Sequence, residues 1–105
     1  MLKIFDFSKE KEFASAAAAD IAKRYPVALS REPGQHQSVT KLTRIIEDIC
    51  MRAIEFKKTH PMGWLRKAKL CNNFRWELIE LGYKKEFAEF ATEALVVYLS
   101  RSKEK

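Results

Sequence analysis

The stretch from Val39 to His60, VTKLTRIIEDICMRAIEFKKTH, decides the fold of this chain. Its apolar residues recur at intervals of three and four, which places them on one face of an α-helix. That face comprises Val39, Leu42, Ile45, Ile46, Ile49, Cys50, Ala53 and Phe56. On the opposite face Asp48 stands four residues from both Arg44 and Arg52, a spacing typical of a solvated, ion-paired surface. The stretch therefore predicts a helix over residues 39–60, with Ser38 as its N-cap and the following proline as its end.

Three further helices are predicted from the same periodicity, over residues 9–25, 64–81 and 84–101. Pro26 ends the first of them, because proline lacks an amide hydrogen and restricts the residue before it. Gly82 separates the last two, because glycine accepts the left-handed conformation that commonly follows a helix. The 105 residues include only 3 Gly and 3 Pro, too few for a turn-dense β fold. The sequence therefore predicts a single all-α domain with a compact, four-helix bundle-like architecture.

The segments outside these helices carry weaker signals. Residues 1–7 alternate like a strand but have no second strand to pair with, so we expect an extended N-terminal arm that packs on the helices. Residues 27–37 contain a proline and a glycine and are predicted to form a flexible connection. Residues 102–105 are expected to fray. Ser8 is predicted to be the N-cap of the first helix.

Two helices have faces that raise questions of packing. The first carries a small-residue face, which includes Ala14, Ala17 and Ala18. A neighbouring helix can approach this face closely, and that helix belongs either to the same chain or to a second copy. The helix over 64–81 is predicted to bury Trp64, Ala68, Cys71, Phe74 and Leu78. Arg75 and Lys67 also fall on or beside this apolar face. Because an unpaired buried charge is costly, we expect an ion pair for Arg75, with Asp20 as a candidate partner.

One segment accounts for the net charge of +6, which arises from 20 Lys and Arg against 14 Asp and Glu. The interval between Glu55 and Glu77 contains no acidic residue. Its basic residues are Lys57, Lys58, Arg66, Lys67, Lys69 and Arg75. A local positive field of this kind attracts nucleic acid, an acidic protein surface or anionic lipid.

The leading functional hypothesis is a small, non-catalytic helical binding module that contacts nucleic-acid phosphates through the basic aromatic segment 57–76. Cations beside exposed aromatic rings are typical of surfaces that bind single-stranded nucleic acid. The candidate phosphate contacts are Lys57, Lys58, Arg66, Lys67 and Lys69, and the candidate stacking residues are Trp76 and Trp64.

The alternative hypothesis is a protein–protein interaction module, in its simplest form a homodimer. In one form the small-residue face of the first helix packs against its copy. In another the basic segment of one chain meets the acidic flank of the other, which comprises Glu86, Glu89 and Glu93. A third interpretation is that the basic residues serve only solubility.

The sequence also excludes several classes of protein. It contains no nucleotide-binding, nucleophile-elbow or metalloprotease motif, so neither catalysis nor a cofactor is predicted. The cysteines and histidines stand singly, unlike the paired ligands of zinc sites; they are Cys50, Cys71, His36 and His60. The longest apolar run near the C-terminus, residues 94–99, is far too short to span a membrane. With no signal-peptide pattern among the first residues, we expect a cytoplasmic protein.

Overall fold

A computed structural model describes residues 7–30, 36–60 and 63–101 of the chain. These residues form four long helices and one single-turn helix: α1 Ser8–Arg24, α2 Val27–Ser30, α3 His36–Thr59, α4 Trp64–Leu81 and α5 Lys85–Arg101. No strand occurs within these ranges. The predicted all-α, four-helix bundle-like fold is therefore confirmed.

The four long helices form a closed ring of neighbours. Helix α1 packs on α4, α4 on α5, α5 on α3, and α3 on α1. Glu10 near the start of α1 pairs with Arg66 near the start of α4. Just beyond the ends of the same two helices, the ring of Tyr25 stacks on that of Tyr83. These contacts show that α1 and α4 run parallel. The consecutive helices α3 and α4 face each other across the diagonal of the ring.

The core consists of one face from each long helix. Its buried members are Ala14, Ala17, Ala18 and Ile21 of α1, Ile45, Ile46, Ile49, Cys50 and Ala53 of α3, Leu70, Cys71, Phe74 and Leu78 of α4, and Ala88, Ala91, Leu95 and Leu99 of α5. The apolar side of α3 is thus buried from Ile45 to Ala53, as the periodicity predicts. Helix α1 makes its most extensive contacts with α4. The close neighbour of its small-residue face therefore belongs to the same chain.

Four side chains form an ion-pair network between the antiparallel helices α1 and α3. Arg24 and Arg52 each approach both Asp20 and Asp48, with N–O distances of 2.6 to 2.9 Å. Burial raises the pKa of Asp20, but the hydrogen bonds from Arg52 and Arg24 outweigh it, so the net pKa is lowered. Hydrogen bonds from Arg24 and Arg52 also lower the pKa of Asp48. Both carboxylates therefore stay ionised at neutral pH, and the network carries no net charge.

The N-caps of two helices differ from the prediction. Ser8 is the first residue of α1, and Phe7 occupies the N-cap position without a side-chain hydrogen bond. Helix α3 begins at His36, so Ser38 lies within its first turn and is not the cap. The extension follows because no proline or glycine separates His36 from the strongly amphipathic stretch.

The predicted connection over 27–37 is shortened from both sides. Residues Val27–Ser30 form α2, and the start of α3 takes up the last two positions. The turn of helix is stabilised because the half-buried Val27 packs on the core. The rest of this connection, the arm before Phe7 and the tail 102–105 lie outside the described residues.

The turn between α4 and α5 depends on Gly82, whose φ of 110° is left-handed. Its N–H donates to the carbonyl of Ile79, and the N–H of Tyr83 donates to that of Leu78, which is the hydrogen-bond pattern of a Schellman cap. The buried Tyr83 hydroxyl donates to the carbonyl of Tyr25, and burial raises the pKa of Tyr83 to about 12. The turn is thereby tied to the end of α1 by a hydroxyl that stays protonated.

Replacing Gly82 by alanine tests this role. The added methyl group would lie 3.5 Å from Val27 Cγ1, an ordinary contact, so the cost comes from the left-handed backbone. We expect the Gly82→Ala variant to lose about 1–2 kcal/mol in the free energy of unfolding, measured by denaturant titration.

Gly63 provides the matched control, because it lies in open space at the N-cap of α4 with a φ of −78°. The Gly63→Ser variant adds a capping oxygen and should unfold at an equal or slightly higher denaturant concentration. An unchanged midpoint for Gly82→Ala would contradict the proposed role of the glycine.

Candidate binding surface

The basic segment does not form one surface in the folded chain. Lys57 and Lys58 lie near the end of α3, whereas Arg66, Lys67 and Lys69 lie on α4. Lys58 is exposed, and its ammonium is 3.5 Å from the carboxylate of Glu55. The bases that are contiguous in sequence therefore divide between two helices that face each other across the bundle.

Lys57 is part of the core. Its side chain is only 5% exposed, and its ammonium donates a 3.0 Å hydrogen bond to the carbonyl of Leu99 on α5. An ammonium held in this way cannot contact a phosphate, so Lys57 does not belong to the exposed surface that the sequence predicts. The spacing carried a signal of this outcome, because Lys57 follows Ala53 and Cys50 on the apolar side of α3.

Arg66 joins α4 to α1. Its Nη1 lies 3.4 Å from both carboxylate oxygens of Glu10, a residue that is 2% exposed. The guanidinium also lies 5.4 Å from the centre of the Phe7 ring. Because an isolated buried carboxylate is costly, Arg66 stabilises Glu10 and has little of its charge left for a ligand.

Arg75 forms the ion pair that its position predicts, but with a different acid. Its partner is Glu89 of α5 at 3.6 Å, because Asp20 faces α3 and not α4. The guanidinium also lies 5.3 Å from the ring centre of Trp76. This pair joins α4 to α5 along the outside of the bundle.

The exposed side of α4, which we call the outer face of α4, is mainly apolar. It consists of Trp64, Leu65, Ala68, Lys69, Asn72 and Trp76, and the exposed Glu80 and Leu81 follow at the end of the helix. The exposed fractions are 77% for Trp64, 50% for Trp76 and 41% for Leu65. Lys69 has no carboxylate partner among the described residues, and its ammonium lies 5.7 Å from the centre of the Phe7 ring. Two tryptophans thus face solvent with a single cation between them.

The predicted core face of α4 is wrong at two positions. Trp64 and Ala68 are exposed, whereas Leu70 is completely buried. The reason is that α4 packs on both α1 and α5, so its buried sector faces the space between them. The sequence places more apolar side chains on this helix than one buried face can hold.

A groove of about 280 Å³ separates α4 from α5 at the outer face. Its lining residues are Trp64, Lys67, Ala68, Cys71, Val96, Leu99 and Ser100. Beyond it lies the outer face of α5, which we define as Glu86, Glu89, Phe90, Glu93, Val96 and Val97. Phe90 is 52% exposed, and Val96 and Val97 are each 44% exposed. The two outer faces meet at this groove through Trp64, Ala68 and Val96.

The two cysteine thiols and the His60 ring lie outside the two outer faces. Burial raises the pKa of Cys50 to about 12 and that of Cys71 to about 11, so both thiols stay protonated. The His60 ring stacks on Phe56 and places Nδ1 3.3 Å from the Phe56 carbonyl at the end of α3. In the described part of the chain no three potential metal ligands converge.

The different environments of Lys57 and Lys58 give a matched test. A Lys57→Glu variant would bury a carboxylate opposite the Leu99 carbonyl, so we expect it to lose about 3 kcal/mol or more in the free energy of unfolding. The same change at exposed Lys58 should cost less than about 1 kcal/mol. Denaturant titration compares the two. Equal losses would contradict the buried position of Lys57.

The helices of the described ranges include none with the length and apolar character needed to cross a membrane. Comparison with protein-family models, curated proteins and solved structures finds no match to this chain.

Proposed function

We propose that this chain is a non-catalytic helical module that pairs with a second copy of itself through the outer faces of α4 and α5. The observation that carries the proposal is the exposure of large apolar side chains. Six of the eight large hydrophobic residues that are exposed in the described ranges lie on these two faces. They are Trp64, Leu65, Trp76, Phe90, Val96 and Val97. A concentration of large exposed apolar side chains on two neighbouring helices is typical of a site of protein contact, and tryptophan is a frequent anchor of such contacts.

The charges near the middle of the two faces support a second copy as the partner. The outer face of α4 carries Lys69, and the outer face of α5 carries Glu86 and Glu93. None of the three has an ion-pair partner among the described residues. A two-fold axis that sets α4 against α5 of the partner brings opposite charges together twice. Such an arrangement is self-complementary and closes as a dimer.

The other form of homodimer has less support. It requires the small-residue face of α1 to be available, but Ala14, Ala17 and Ala18 are buried within the chain. The outer faces of α4 and α5 have no such partner in the described structure.

The proposed location of the module is the cytoplasm. Free, buried Cys50 and Cys71 support this location, since a reducing compartment keeps thiols unpaired.

The apolar contact is tested by the molar mass over a series of concentrations, measured by analytical ultracentrifugation. Combined Trp64→Ser and Phe90→Ser substitutions remove one anchor from each face, so we expect the dimer to weaken by about tenfold or more. Met51, which is 54% exposed on α3, provides the control, and Met51→Ser should leave the dimer unchanged. A wild-type chain that stays monomeric at every concentration would contradict the proposal.

The partner's identity is tested with charge reversal. The Lys69→Glu and Glu93→Lys variants should each dimerise more weakly than the wild type, because each places like charges across both contacts. A mixture of the two variants should recover the association, since the mixed dimer pairs opposite charges again. If mixing fails to recover it, the partner is not a second copy in this arrangement.

A second candidate function is the binding of single-stranded nucleic acid by the outer face of α4 together with Lys67, which lines the adjoining groove. It is supported by the exposed rings of Trp64 and Trp76, on which bases could stack, and by Lys67 and Lys69, which have no carboxylate partner in the described ranges. Lys57 is buried, and Lys58, Arg66 and Arg75 are already paired with acids. These losses leave fewer free cations than the sequence predicts, which is why we place this function second.

A salt titration of oligonucleotide binding separates the two functions. If the outer face of α4 contacts phosphates, the Lys67→Glu and Lys69→Glu double variant should bind more weakly. Its log–log salt dependence should be shallower by about 1.4, or about 0.7 for each lost phosphate contact. The control carries Lys9→Glu and Lys11→Glu on α1. Binding that is equal in both variants would exclude nucleic acid from this face.

A further inference from the structure

A second concavity lies between the end of α1 and the first half of α3. Its volume is about 590 Å³. The residues that line it are Lys23, Arg24, Thr40, Lys41, Arg44 and Ile45. We call it the α1/α3 groove. It shares no residue with the outer faces of α4 and α5, so it is a separate feature of the surface.

The α1/α3 groove is strongly basic. Of the six described residues that line it, four are cationic and none is acidic. Lys23, Lys41 and Arg44 are exposed, and none of them has a carboxylate partner in the described part of the chain. Three positive charges therefore face one concavity, and like charges this close repel one another unless an anion binds between them.

Arg24 is held at the edge of this groove by the network with Asp20 and Asp48. Both acids contact Nη1 of Arg24, so Nε and Nη2 have no acidic partner among the described residues. The lowered pKa values of both aspartates keep the network ionised. The guanidinium is thus fixed before any ligand arrives, which reduces the entropy cost of binding.

Stabilisation of helices α1 and α3 explains only some of the basic residues in the α1/α3 groove. Lys23 and Arg24 lie in the last turn of α1, where cations complement the helix dipole. Lys41 and Arg44 lie in the first half of α3, where a cation gains nothing from the dipole, and the first turn of that helix has no acidic residue. The helix dipole therefore does not account for their positive charge.

We infer that the α1/α3 groove binds a small polyphosphate anion, of the pyrophosphate or triphosphate class. Three unpaired cations match an anion of charge −3, and the fixed Arg24 guanidinium and the Thr40 hydroxyl add hydrogen-bond donors. Arginine in particular offers paired donors that suit phosphoryl oxygens. None of the described residues that line the groove is aromatic, so these residues offer no surface for stacking a base. Recognition is therefore of the phosphoryl groups themselves.

The proposal is tested by isothermal titration of the full chain with sodium triphosphate at low ionic strength. The test variant carries Lys41→Glu and Arg44→Glu. The control carries Lys11→Glu and Lys85→Glu, which are exposed, lie outside the groove and change the net charge by the same amount. We expect the test variant to bind about tenfold more weakly or worse, and the control to bind within about twofold of the wild type. Circular dichroism establishes that both variants are folded.

Three results would overturn the proposal. The first is no binding of triphosphate by the wild-type chain at low salt. The second is an equal loss of affinity in both variants, because net charge and not the groove would then hold the anion. The third is a single-stranded oligonucleotide that depends on Lys41 and Arg44 while triphosphate does not bind, which would make the groove a nucleic-acid site. Each result is independent of dimerisation, since the groove shares no residue with the pairing surface.

Discussion

The close contact of α1 with α4 is the constraint on which the other surfaces depend. Alanines 14, 17 and 18 bring no bulk to this contact, so the two parallel helices can approach closely. The Glu10–Arg66 pair joins the helices near their starts, and the hydrogen bond from Tyr83 to the Tyr25 carbonyl joins them beyond their ends. With α4 held in this way and α5 packed on its other side, only one orientation buries Leu70. That orientation exposes Trp64.

The helices are predictable from the sequence to different degrees for a physical reason. Helix α3 has one apolar face and one charged face, so periodicity alone identifies what it buries. Helix α4 has more apolar side chains than one face can bury, and only its two neighbours decide which of them face the core. Lys57 is a second position at which the sequence alone does not decide burial. Its spacing places it with Ala53 on the apolar face, yet its charge suggests a surface position.

The distribution of charge along the sequence also differs from its distribution on the surface of the folded chain. The acid-free interval between Glu55 and Glu77 looks like one basic surface, but acids from distant helices neutralise Arg66 and Arg75. The α1/α3 groove shows the converse. Its basic residues come from two stretches in which acids are also present, so the sequence shows no excess there. The excess arises because Asp20 and Asp48 are taken up by Arg24 and Arg52, which leaves the lysines unbalanced.

The order of the helices around the ring makes the two proposed surfaces compatible. The pair formed by α4 and α5 and the pair formed by α1 and α3 are opposite sides of that ring. A dimer that forms through the outer faces of α4 and α5 therefore leaves the α1/α3 groove of each copy open to solvent. The Arg24 network belongs to one copy alone, so its geometry does not depend on the partner. Binding of an anion and pairing of two copies can accordingly occur in the same particle, with two grooves facing away from the shared interface.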